Sequence, residues 1–261
     1  MTAPRRITSR DNPLLQRLRK LAADPGAYRK QGELWLEGDH LCQAFVQRGG
    51  VPLHALVSDV AWQQDPALRA LAGRAATVSL LPSALMESVS TMETPPPIGF
   101  VVPWAADTTV ATGLPSVVLD RLQDAGNVGT VLRSAAAFGF TQVLALKGTA
   151  ALWSPKVLRA AMGAHFALRL VEAMTEEALG ALRMPLLATS SHAARAIHEA
   201  ALPWPCAWVL GHEGQGVSAP LLRRCAQTLR IPQPGGEESL NVAAAAAVCL
   251  YESARQRAGS G

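Results

Sequence analysis

The sequence is 261 residues long, 49% hydrophobic and 17% charged, which supplies material for one large core or two ordinary ones and excludes a chain disordered throughout. Net charge is only +4, but it is unevenly spread. Residues 1–30 carry eight basic side chains (Arg5, Arg6, Arg10, Arg17, Arg19, Lys20, Arg29, Lys30) against Asp11 and Asp24, a local +6 that leaves −2 for the remainder. An Arg-rich patch suits a phosphate-bearing partner, because the guanidinium fork matches phosphate oxygens in pairs; a solvated helix face accounts for the same charge. Cys42, Cys206, Cys225 and Cys249 are scattered among apolar neighbours and read as reduced core thiols, and the six histidines form no metal-ligand pattern. No apolar run approaches the roughly 20 residues a membrane helix needs, and no apolar signal core follows the basic start, so the cytoplasm is the expected compartment.

Asp11-Asn12-Pro13 reads as a helix start, with Leu14, Leu15, Leu18 and Leu21 on one face and Arg17, Arg19 and Lys20 outward. Residues 33–37 (ELWLE) alternate like a strand. A helix is expected over 38–48, a strand over 53–58, a helix over 65–72, a strand over 77–81, a helix over 82–89 and a strand over 98–102. This alternation predicts a small α/β layer domain over residues 1–104. Residues 105–115 show no periodicity and read as a linker.

From residue 116 the alternation resumes with apolar strands that do not alternate, the pattern of a parallel sheet covered on both faces. Strands are expected at 117–119, 142–146, 185–189, 206–210 and 228–231. Helices are expected at 127–138, 155–162, 172–182, 218–226 and from Ser239, as N-cap, to about 256. In such sheets ligands gather at the carboxyl ends of the strands, and three strand ends carry unusual loops.

The first loop runs from Asp120 through Asn127 and Gly129 to Arg133. Arg133 falls among apolar and alanine residues on a mostly buried helix, so it must face a cleft or pair with a carboxylate such as Asp120 or Asp124. The second, Gly211-His212-Glu213-Gly214-Gln215-Gly216, brings backbone close to a partner, and Ser218 is placed to cap the next helix. It lacks the spacing of either common phosphate-binding glycine motif, and its Glu suits a group that offers N–H or O–H donors. The third, Ile231-Pro232 through Ser239-Leu240-Asn241-Val242, feeds a polar loop into an alanine-rich helix. Each alone is compatible with an ordinary connection.

In that order and spacing the three stretches resemble the SpoU/TrmH family of RNA ribose 2′-O-methyltransferases, within the SPOUT superfamily. The resemblance rests on Asn127, Gly129, Arg133 and Phe138-Gly139, on Gly211, Glu213 and Gly216, and on Ile231, Pro232, Ser239, Leu240, Asn241 and Val242. Ala125-Gly126 stands where the family often has a proline, and Ala161 where it often has serine. The resemblance implies a deep trefoil knot in a parallel-sheet domain over 116–261, a homodimer, and a substrate-binding domain ahead of it. It implies S-adenosylmethionine as cofactor, held at Thr189, Gly211, Glu213, Gly216, Ile231 and Leu240, with Arg133, Asn127, Glu213, Ser239 and Asn241 as catalytic residues. It implies an RNA substrate, rRNA ahead of tRNA, docked by Arg5, Arg6, Arg10, Arg17, Arg19 and Lys20, and no metal. A non-catalytic RNA-binding protein on the same fold is the alternative. A nucleotide-dependent oxidoreductase is set aside for want of a G-x-G-x-x-G after an early strand.

Overall fold

Continuous apolar runs become strands and the runs of helical period between them become helices. The structure, a computed structural model, describes residues 4–235 and 239–259. It divides into two compact units, Met1–Ala106 with Trp153–Phe166, and Asp107–Leu152 with Ala167–Gly261.

The first unit contains β1 (Arg5–Arg6), α1 (Pro13–Ala23), α2 (Ala27–Gln31), β2 (Glu33–Glu37), α3 (Asp39–Gln47), β3 (His54–Ser58), α4 (Asp59–Gln64), α5 (Pro66–Ala72), β4 (Thr77–Leu81), α6 (Ser83–Glu87) and β5 (Ile98–Pro103). Its strands lie in the order β1-β4-β3-β5-β2. β5 runs antiparallel to its neighbours β2 and β3. Asn12 caps α1 by accepting from Leu14 N, and Leu15, Leu18, Leu21 and Ala22 are buried. Leu14, expected on the same face, is only half-buried. The short elements β1, α2 and α4 escaped sequence reading because two to six residues give too little periodicity.

Chain order then gives β6 (Ser116–Leu119), α7 (Ala125–Ala137), β7 (Gln142–Leu146), α8 (Pro155–Ala161), β8 (Arg169–Met174), β9 (Leu186–Thr189), β10 (Ala207–Leu210), α9 (Ala219–Arg224), β11 (Gln227–Leu229) and α10 (Val242–Ala258). Helix α8 belongs to the first unit, where it packs against β2 and α1. The second unit's strands form a parallel sheet in the order β11-β9-β10-β6-β7-β8. The side chains of β6, and of β10 up to Val209, are shut away from solvent, as a sheet covered on both faces requires. From residue 107 the expected linker, 105–115, is tied to this sheet: Asp107 bridges to Val171 and pairs with Arg169 Nη2 at 2.8 Å, and Ala111 exchanges hydrogen bonds with the Gln142 amide.

Two expectations are corrected here. Residues 172–182 are not a helix: Arg169–Met174 is an edge strand on β7, followed by a 3₁₀ turn at Glu177–Ala181. The helix-favouring run of Glu and Ala loses to burial of Leu170, Val171 and Met174 against the sheet. The last helix is capped by Asn241, whose side chain accepts from Ala243 N and Ala244 N, and not by Ser239, which lies three residues before its first turn. Of the third loop, Gly236, Glu237 and Glu238 lie outside the described residues.

Candidate active site

Parallel pairing brings the carboxyl ends of β6, β9, β10 and β11 to one edge of the second unit's sheet. A cavity of about 680 Å³ opens there. Thr189 lines it from the end of β9, Gly211, Glu213 and Gly216 from the turn after β10, Ile231 from beyond β11, and Ser239, Leu240 and Asn241 from the approach to α10. Asn127 and Arg133 are not among the lining residues.

Asn127 nevertheless joins the three loops. Its Oδ1 accepts from Asn241 Nδ2 at 3.0 Å and its Nδ2 donates to Glu213 Oε1 at 3.3 Å. Glu213 also accepts from the backbone N–H groups of Gln123 (3.3 Å) and Asp124 (3.0 Å), ahead of α7. Burial pushes the Glu213 carboxyl up, but these N–H donors and Asn127 outweigh it and hold the group below its ordinary value. Its carboxylate is thus engaged by the backbone ahead of α7 and by the Asn127 amide.

The placement expected of Arg133 is corrected. Helix α7 buries Val128, Gly129, Val131, Leu132 and Ala135, and Arg133 lies outside that stripe, exposed and with no hydrogen bond or ion pair among the described residues. Asp120, one proposed partner, is taken by Arg121. The neighbouring alanines misled the sequence reading: Ala137 is exposed and Ala136 half-buried, so small residues there mark surface as well as core.

The turn after β10 is built on close backbone approach. A Cβ on Gly211 would sit 2.0 Å from Gly216 C and Val217 N, so only glycine fits beneath the turn. The turn closes on itself: Gly216 N donates to His212 O at 2.8 Å, and Gly214 N and Gln215 N reach His212 Nδ1. Ser218 begins α9 without a side-chain cap bond, against expectation.

These surroundings fit a neutral or cationic ligand with polar edges. Gln233 lines the cavity, and its Oε1 is buried with no partner among the described residues, an acceptor awaiting an N–H or O–H donor. Main-chain groups at the strand ends add further donors and acceptors. Ser190, Ser191 and His192 also line the cavity, and sequence reading missed them although they follow a strand end directly. Among the described residues no cluster of three metal-ligating side chains exists.

Of the basic residues expected to meet RNA, Arg5, Arg6, Arg10 and Lys20 are exposed. Arg17 pairs with Glu33 at 3.2 Å. Arg19 is committed within the fold, donating to Ser88 O, Ser88 Oγ and Arg10 O. The nearby Tyr28 is buried edge-on to Trp104 and so offers no stacking surface.

Residues 115–251 match the SpoU rRNA Methylase family. The chain belongs to that family. Over nearly its whole length it is similar to an uncharacterised tRNA/rRNA methyltransferase of Synechocystis, at 34% identity covering 96% of this chain and 94% of that one. A 23S rRNA (uridine(2479)-2′-O)-methyltransferase of Streptomyces viridochromogenes is 30% identical, with 98% and 93% covered. Among solved structures, the SpoU methyltransferase AviRb of Streptomyces viridochromogenes in complex with AdoMet superposes with a TM-score of 0.82 at 26% identity, covering 95% of this chain and 98% of that one. The matched stretch contains Asn127, Glu213 and Asn241, the three residues that the hydrogen bonds join.

Proposed function

We propose that this SpoU-family chain transfers a methyl group from S-adenosylmethionine to a ribose 2′-hydroxyl of ribosomal RNA. The observation that carries the reading is the Glu213–Asn127–Asn241 hydrogen-bonded chain at the rim of the 680 Å³ cavity, where three separate motifs converge. The rRNA 2′-O-methyltransferase relative and the AdoMet complex of a structural neighbour support both substrate and cofactor. No helix among the described residues is long and apolar enough to cross a membrane, which agrees with a cytoplasmic rRNA-modifying enzyme.

Thr189, Gly211, Gly216, Ile231 and Leu240 would hold the cofactor through main-chain groups, with Gln233 Oε1 as a side-chain acceptor. Bound there, S-adenosylmethionine supplies a methyl carbon on positively charged sulfur, open to in-line displacement. Asn127 and Asn241 orient the ribose, and Glu213 fixes Asn127. Ser239 contributes a hydroxyl to the wall. A guanidinium offers N–H donors and no acceptor, so Arg133 does not act as base. It holds the phosphate next to the target ribose and stabilises charge that develops on the 2′-oxygen, while water or that phosphate takes the proton.

The finer architecture belongs to the same reading. Residues 107–152 and 167–261 form the methyltransferase domain with a deep trefoil knot. Residues 1–106 form the RNA-binding domain together with 153–166, which the expected boundaries of 1–104 and 116–261 assign to the second domain, and Arg5, Arg6, Arg10 and Lys20 are its phosphate-reading groups. A homodimer forms through α7 and α10, whose outward stripe gathers Ala137, Ala244, Val248 and Tyr251; Val248 is 39% and Tyr251 55% exposed. Incubating the protein with tritiated S-adenosylmethionine and undermethylated rRNA tests the reading; alkali-stable label on a ribose is expected, and label confined to a base would reject it.

A further inference from the structure

The turn that walls the cavity is held by two side chains at the start of the first loop that the proposed function leaves without a role. Asp120, at the end of β6, is a carboxylate with only 1% of its surface exposed. Such a group needs several partners, and it has them. Its Oδ2 accepts from Ser218 N at 2.7 Å, at the far end of the turn, and from Arg121 Nη2 at 3.2 Å; its Oδ1 accepts from Arg121 Nε at 2.8 Å. Arg121 Nη1 in turn donates to Gln215 Oε1 at 3.2 Å, in the middle of the turn. Burial pushes the Asp120 carboxyl up, yet the Arg121 fork and the Ser218 N–H bring it below its ordinary value.

Arg121 takes part at a conformational cost. Its φ is +61°, a left-handed backbone that glycine or asparagine would adopt more readily. Gly148 lies against it, and a Cβ there would come within 3.2 Å of Arg121 Cγ. A residue without a side-chain role gains nothing from that conformation; a fork that must reach both Asp120 and Gln215 does.

We infer that Asp120 and Arg121 are positioning residues that clasp the turn over residues 211–218 and so set the wall of the cofactor cavity. The inference rests on the cofactor reading given above. Neither side chain lines the cavity; they act through Gln215, which does line it, and through Ser218, whose neighbour Val217 does. Glu213 anchors the front of the same turn to α7, so loss of the clasp frees the back and middle of the turn while leaving the Asn127 contacts intact.

Arg121→Gly separates positioning from folding, because glycine keeps the left-handed backbone without strain and deletes only the fork. Asp120→Asn removes the charge at nearly constant shape. Binding of S-adenosylhomocysteine to the full chain is measured by calorimetry, beside KM and kcat for S-adenosylmethionine with rRNA. Each variant is expected to weaken binding and raise KM by about tenfold, the effect of losing one charge-assisted bond, with kcat at saturation within about twofold of wild type. The double variant should be little worse than either single one, since both break one clasp. Binding within about twofold of wild type in both single variants overturns the clasp and spares the cofactor reading. A fall in kcat with KM unchanged also overturns it. A wild-type protein that binds no S-adenosylhomocysteine overturns the cofactor reading and the clasp's role together.

Discussion

Replacing Asn241 by alanine removes two interactions of different kind. The Oδ1 caps α10, accepting from Ala243 N at 2.9 Å and Ala244 N at 3.3 Å, while the Nδ2 donates to Asn127 Oδ1 at 3.0 Å. Loss of an N-cap costs about 1 kcal/mol. Loss of the amide–amide bond adds about 0.5 kcal/mol, the low end of the range because both side chains reach solvent. The total of about 1.5 kcal/mol corresponds to a Tm lower by roughly 3–6 °C for a chain of this size. Asn241→Ser divides the two effects, because serine caps a helix about as well but is too short to reach Asn127. The serine variant is expected to recover most of the Tm in differential scanning calorimetry. Its methyl transfer should stay down by about 10²-fold, the cost of misplacing a reacting group by an ångström. A serine variant with both Tm and turnover at wild-type levels would refute the reasoning, since the Asn127–Asn241 bond would then be incidental.

Arg133→Ala should abolish transfer yet leave S-adenosylhomocysteine binding unchanged; because Arg133 is exposed and has no partner among the described residues, stability should move by no more than about 0.5 kcal/mol in urea titration. Gly211→Ala forces a methyl to within 2.0 Å of the backbone at Gly216 and Val217, so calorimetry should find cofactor binding lost. Glu213 has a folded pKa below its ordinary 4.5, so its contribution to stability is whole above that value and disappears as pH falls through the lowered one. Between those limits wild type should lose stability more steeply than Glu213→Gln in acid unfolding, and equal slopes would contradict the assigned bonds. Deleting residues 1–30 would remove the buried Leu15, Leu18 and Leu21 with the charges. Changing Arg5, Arg6, Arg10 and Lys20 to Gln tests RNA docking instead, and should flatten the salt dependence of rRNA binding by roughly 0.7–0.9 in slope per lost phosphate contact.

Much of the fold was legible because strand and helix periods were strong. The strands at 33–37, 77–81 and 142–146 stand where alternation or unbroken apolar runs predicted them. Residues 169–174 were not legible, since a two-sided edge strand flanked by Glu and Ala carries a helical signal that only pairing with β7 overrides. Ser239 and Asn241 are both cap-forming residues two positions apart, and choosing between them requires knowing where the backbone first turns. In the site, each loop alone was compatible with a plain connection. Their convergence depends on the parallel order of β6, β9, β10 and β11, which local sequence does not encode. The clasp at Asp120 and Arg121 was hidden for the same reason: a strand-end acid beside a base looks like any exposed pair until its burial and its reach to Ser218 are known.

Ribose methylation of rRNA through the joined loops leaves a mark that can be read in the RNA itself. Mapping of 2′-O-methyl groups in total rRNA from cells lacking this protein tests it most directly, with the wild-type chain and Arg133→Ala each supplied back. The expected result is a ribose methyl that is missing without the protein, returns with wild type and does not return with Arg133→Ala. An rRNA methylation map identical with and without the protein, or full restoration by Arg133→Ala, would contradict it.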